Sequence, residues 1–172
     1  MKMKMKLSAI ILSLLFMAGP VLAADTVVVV VRHAEKSTDD PKDPSLSEQG
    51  DARAKKLAEV LKNADVKAVY TTQYKRTQQT GLPTAMQSGL QVEVRSATKE
   101  NAKSYSSDLL KEIQKKHKGE TVLIVGHSNT VPEIVKDMSG VDVAAIGENE
   151  FDRLYVITLS KKPRVVSVNY KP

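Results

Sequence analysis

Two of the three histidines in this 172-residue chain stand at equivalent places. His33 follows five valines (Val27 to Val31) and Arg32; His127 follows the apolar run Thr121 to Val125 and Gly126. A third short run, Lys67 to Thr71, is followed by Arg76 in the stretch Lys75-Arg76-Thr77-Gln78-Gln79-Thr80. A guanidinium fork matches phosphate oxygens in shape and charge, and a neutral imidazole can act as a nucleophile on phosphorus. If the three runs are neighbouring parallel strands, two arginines and two histidines meet at their carboxyl ends. Ligands of open α/β sheets bind there. The chemistry such a set could do is displacement at a phosphoryl group.

The elements needed to position these residues are legible in the pattern. β-branched runs without polar alternation predict strands covered on both faces. Ser47 reads as a helix N-cap, and Ala54, Leu57, Ala58 and Leu61 form one apolar helical face after it. Gly50, inside the first turns of that helix, predicts a close backbone approach. A helix over 75–88 carrying Pro83, a short strand over 91–95, a polar loop over 96–103 and an amphipathic helix over 107–118 follow. His117, among Lys115, Lys116 and Lys118 at the end of that helix, reads as a surface histidine, and Gly119 as its stop. After His127 a helix with Pro132 in its first turn buries Val131, Ile134, Val135 and Met138. Residues 140–152 form a loop, and 154–159 with 164–168 form a closing pair of strands. Strands alternating with helices give an α/β class: three layers, a mostly parallel central sheet with helices on both faces, and an antiparallel edge from the last pair.

Residues 1–23 resemble a secretory signal peptide, with Lys2, Lys4 and Lys6 before an apolar stretch, Gly19-Pro20, and Val21-Leu22-Ala23 at the cleavage position. The apolar stretch is short for a membrane span. Residues 24–172 then form one domain, exported to the periplasm or secreted, with no stable membrane insertion after cleavage. Half of the formal charge of +6 belongs to the three leader lysines. The remaining mild excess suits an anionic small substrate and gives no nucleic-acid footprint, since no basic run is interleaved with aromatics. The absence of cysteine excludes disulfides, thiolate zinc sites and a lipidated N-terminus. With no Trp and two Phe the core must be mainly aliphatic. The oligomeric state stays open.

Arg32-His33-Ala34, Leu46-Ser47-Glu48-Gln49-Gly50, Arg76-Thr77-Gln78-Gln79-Thr80 and Gly126-His127-Ser128 together resemble the histidine phosphatase superfamily, the phosphoglycerate mutase-like enzymes, in the family's order. The resemblance implies a phosphoglycerate mutase-like fold and a small phosphorylated substrate. It implies that His33 becomes phosphorylated, that Arg32, Arg76 and His127 hold the phosphoryl oxygens, and that neither a metal nor another cofactor is needed. It also implies one carboxylate as general acid. The matching stretch, 96–101, nominates Glu100, with Glu93 as its rival, while Glu35 and Glu133 could orient the histidines. Asn129 and Ser128 could offer further donors to phosphate.

Gly126-His127-Ser128-Asn129-Thr130 approaches a serine-hydrolase elbow, but every histidine precedes Ser128, and no paired zinc-ligand spacing exists. The expectation is a phosphomonoesterase with an open pocket and modest selectivity between leaving groups. The alternatives are a noncatalytic phosphoanion-binding member of the fold and a mutase-type phosphotransferase.

Overall fold

The computed structural model describes residues 24–172, so the expected signal peptide at 1–23 lies outside the described residues. The chain runs β1 (Thr26–Arg32), α1 (Glu48–Leu61), β2 (Val66–Thr71), α2 (Lys75–Gln87), β3 (Val92–Val94), α3 (Tyr105–Lys116), β4 (Thr121–Gly126), α4 (Thr130–Ser139), β5 (Arg153–Leu159) and β6 (Arg164–Asn169). The six strands make one mixed sheet in the order β3-β2-β4-β1-β5-β6. The four strands β3, β2, β4 and β1 are parallel; β5 and β6 add antiparallel neighbours beside β1.

The valine strand is central, and its alternation explains the layers. Val28 and Val30 pack on one face with Leu109 and Ile113 of α3 and Val131 and Ile134 of α4. Val29 and Val31 pack on the other with Leu57 and Leu61 of α1 and Ala85 of α2. Each fully buried valine contributes about 1.5–3 kcal/mol relative to exposure, enough for this strand to anchor both cores.

The first helix docks directly on the segment leaving β1. The Ser47 Oγ accepts from Gly50 N at 3.2 Å, and the Ser47 amide donates to the Glu35 carbonyl at 3.0 Å. A Cβ on Gly50 would lie 2.3 Å from that carbonyl oxygen, so only glycine permits the contact. Gly140 takes the left-handed conformation (φ 73°) that ends α4. Pro83 sits inside α2 rather than at its start. Among the described residues no helix is long and apolar enough to cross a membrane.

Candidate active site

β1 and β4 are parallel neighbours with Arg32 opposite Gly126, so the residues after them meet. The His33 amide donates to the Gly126 carbonyl at 2.9 Å, and the two imidazoles stand edge to face with centroids 5.3 Å apart. Arg76 arrives from the first turn of α2, after β2 on the other side of β4. Arg32, His33, Arg76 and His127 therefore line one cavity of about 1000 Å³ at the carboxyl edge of the parallel strands. Ser128, Asn129 and Lys36 line it too.

His33 is held as a nucleophile requires. Its Nδ1 lies 2.8 Å from the Ala34 carbonyl, which can only accept, so the ring proton sits on Nδ1 and Nε2 keeps its lone pair. Ala34 N is itself tied to Thr80 Oγ1 at 3.0 Å. Burial pushes the His33 pKa down to about 3; the carbonyl of Ala34 opposes this, and His127, Arg32 and Arg76 add to it. Burial likewise lowers His127 to about 4, followed by Arg76, Arg32 and Lys36. Desolvation, more than the neighbouring arginines, keeps both rings neutral.

The two guanidiniums are each stacked on an aromatic ring. Arg32 lies 4.2 Å over Phe151 and Arg76 lies 4.3 Å over Tyr74. One terminal nitrogen of Arg32 donates to the carbonyls of Gly147, Glu148 and Glu150 at 2.7, 2.9 and 3.0 Å. Arg76 has only a loose carboxylate neighbour, Asp43, at 3.8 Å. The Nε atoms of both arginines are buried with no acceptor among the described residues. Burial lowers the pKa of both, against the opposing pull of Glu148, Glu150 and Glu35 on Arg32 and of Asp43 on Arg76. Buried donors without acceptors are costly, and a bound oxyanion would satisfy them.

The carboxylates fall differently from the expectation. Glu100 does not line the cavity, although Thr98, Lys99 and Ala102 around it do. It is solvent-exposed, and hydrogen bonding lowers its pKa. The expectation of Glu100 as general acid is thus not met by the geometry: its side chain is exposed and outside the cavity. Glu93 pairs with Arg95 at 2.8 Å on the far strand. Glu35 lines the cavity but is claimed by Arg53, at 2.7 Å with both side chains nearly buried, and does not orient a histidine. Glu133 and Glu148 line the cavity without a cationic side-chain partner within salt-bridge distance among the described residues. His117 also departs from the expectation of a surface histidine. Its ring is only 12% exposed and bridges Tyr70 Oη at 2.9 Å and Glu120 at 2.7 Å, so it is an internal strut.

Sequence reasoning overlooked Tyr74, Tyr105 and Phe151, which line the cavity in a chain of only five Tyr and two Phe. That scarcity was the available signal. It also overlooked Thr72, whose hydroxyl contacts His127 at 2.9 Å.

Comparison with known proteins gives a consistent picture. The model of the histidine phosphatase superfamily (branch 1) matches residues 28–107. No curated protein matches the chain in sequence. Among solved structures, a mycobacterial glucosyl-3-phosphoglycerate phosphatase is similar with a TM-score of 0.66 at 15% identity, over 85% of this chain and 99% of that one. The protein histidine phosphatase SixA complexed with tungstate is similar with a TM-score of 0.66 at 16% identity, over 83% and 96%. A phosphoserine phosphatase from Entamoeba histolytica with 3-phosphoglyceric acid gives 0.63 at 13% identity, over 86% and 97%. With the motif residues seated at the strand ends of this shared fold, residues 28–107 are identified as a histidine phosphatase superfamily (branch 1) segment.

Proposed function

We propose that the chain is a phosphomonoesterase that works through a phosphohistidine on His33. The observation that carries this reading is a pairing of opposites. A neutral imidazole with a fixed Nδ1 proton stands beside two buried guanidiniums whose Nε donors have no acceptor. Those donors favour the charge that builds on phosphoryl oxygens in the transition state. His33 Nε2 attacks phosphorus and the ester oxygen leaves in line. Water then attacks the phosphohistidine and frees inorganic phosphate. Arg32, Arg76 and His127 hold the oxygens through both steps, with Asn129 at the rim.

The leaving oxygen needs a proton unless it departs as a stable anion. Glu133 and Glu148 are the carboxylates on the cavity wall that fit this role. The names of the similar structures include phosphatases of phosphorylated small molecules and of protein phosphohistidine. The cavity supports the former for this chain: it is open and sizeable, and Lys36 and Lys99 offer charge to an anionic ester. Export by residues 1–23 belongs to the same reading, with an envelope or external phosphate ester as substrate. No cofactor enters the scheme.

The test is hydrolysis of an aryl phosphate by the protein beside His33→Ala, with a chelator present. Phosphate release by the wild type, lowered at least about a thousandfold in the variant, is expected. Phosphate binding without release by the wild type would favour the noncatalytic reading, and equal release by both would remove His33 as nucleophile.

A further inference from the structure

Behind His127 runs a chain of hydroxyl groups that the proposed mechanism does not use. His127 Nε2 lies 2.9 Å from Thr72 Oγ1, which lies 2.9 Å from Thr77 Oγ1, which lies 2.8 Å from the Tyr74 carbonyl. Thr72 and Thr77 are both fully buried, so water does not compete for these bonds. Each hydroxyl has one proton to donate, and the carbonyl at the end can only accept. The arrangement that uses every donor runs one way: Nε2–H to Thr72, Thr72 to Thr77, Thr77 to the carbonyl. Nδ1, which has no partner among the described residues, is then the nitrogen left for a ligand, and in the neutral ring it carries a lone pair. A lone pair facing an anionic phosphoryl oxygen is repulsive unless a proton lies between them.

We propose that Thr72 and Thr77 are positioning residues that fix the Nε2–H tautomer of His127, so that the site takes a phosphoryl group together with one proton shared between Nδ1 and a phosphoryl oxygen. This rests on the phosphatase reading and names the form of the substrate: the monoanion of a phosphate monoester, or the dianion with a proton drawn from solvent. Phosphate monoesters change between these forms near pH 6. The titratable and charged groups facing His127 are Arg32 and His33 from β1, Tyr74 and Arg76 from the start of α2, and Lys36 from the segment after β1. Glu133 of α4, the helix that follows His127, lines the same cavity. The cations, with burial, keep the free ring neutral, so the shared proton must arrive with the anion.

Titration calorimetry with inorganic phosphate, at about pH 8 in buffers of different ionisation enthalpy, counts the protons taken up on binding. The wild type and Thr72→Ser are expected to take up about one proton per phosphate. Thr72→Val removes the acceptor of Nε2–H and lets the ring carry its proton on Nδ1, so uptake should fall below about half. Thr77→Val should act in the same direction, because Thr72 then turns its proton toward Nε2. Unchanged uptake in folded Thr72→Val and Thr77→Val, or no uptake by the wild type, overturns the proposal while leaving the phosphatase reading intact. Failure of the wild type to bind phosphate at all overturns both. In activity, the alkaline limb of kcat/KM should follow the second ionisation of the substrate in the wild type and Thr72→Ser, and move upward in Thr72→Val. A profile of unchanged shape at lower height would mean the threonines are merely structural.

Discussion

His33 and Glu100 show how unevenly single residues reveal their roles. The place of His33 was legible because a fully apolar strand marks where its carboxyl end falls, at the edge where ligands of open α/β sheets bind. Glu100 was not, because a carboxylate in a polar loop is common and no pattern says which way it points; here it is exposed and outside the cavity. On the proposed reading the acid role falls to Glu133 or Glu148, which line the cavity. Replacing the working carboxylate by glutamine should slow an alkyl phosphate by about 100-fold or more, the usual contribution of general acid catalysis. An aryl phosphate with an acidic leaving group should change little. Glu100→Gln should leave both substrates unaffected. A leaving-group series on the three variants measures this, and equal losses on both kinds of ester would mean the carboxylate positions the substrate instead.

The strands and helices were read within one or two residues, since 3.6- and 2-residue periodicities follow from which faces are buried. Gly50 announced the docking of α1 on the segment after β1, because only a close approach explains glycine there. The loop between α4 and β5 stayed silent. Its hold on the site consists of three backbone carbonyls on Arg32, which no side-chain pattern encodes, and of the ring of Phe151. Glu150, bonded to Gly147 N at 2.7 Å and to Arg153 at 2.8 Å, keeps that loop closed on itself. The loop is thus the element that orients the Arg32 guanidinium. Phe151→Leu removes a stacking interaction of about 0.5–2 kcal/mol, and inorganic phosphate should bind about 2- to 30-fold more weakly. Binding calorimetry checks this, and undiminished affinity would mean the carbonyls alone suffice to hold Arg32.

The whole molecule carries the cost of burying two neutral histidines. Their folded pKa values, about 3 for His33 and about 4 for His127, lie below that of an unfolded histidine, about 6.5. Between these values the unfolded chain binds more protons than the folded one, so stability rises with pH there. This contribution is fully present above about pH 6.5 and is lost as pH falls toward 3–4. Urea unfolding at about pH 7 and pH 4.5 should show a marked loss on acidification, and the double variant His33→Ala with His127→Ala should lose less. An equal loss in both proteins would place the acid sensitivity elsewhere. On the proposed reading, the neutral ring that destabilises the fold in acid is also the nucleophile of the reaction. The most direct test of that role is to quench the protein milliseconds after mixing with a phosphate ester labelled at phosphorus, and to locate the label. Label on His33, stable in base and lost in acid, and absent from His33→Ala, is the predicted result. Phosphate release at full rate with no label on His33 would contradict it.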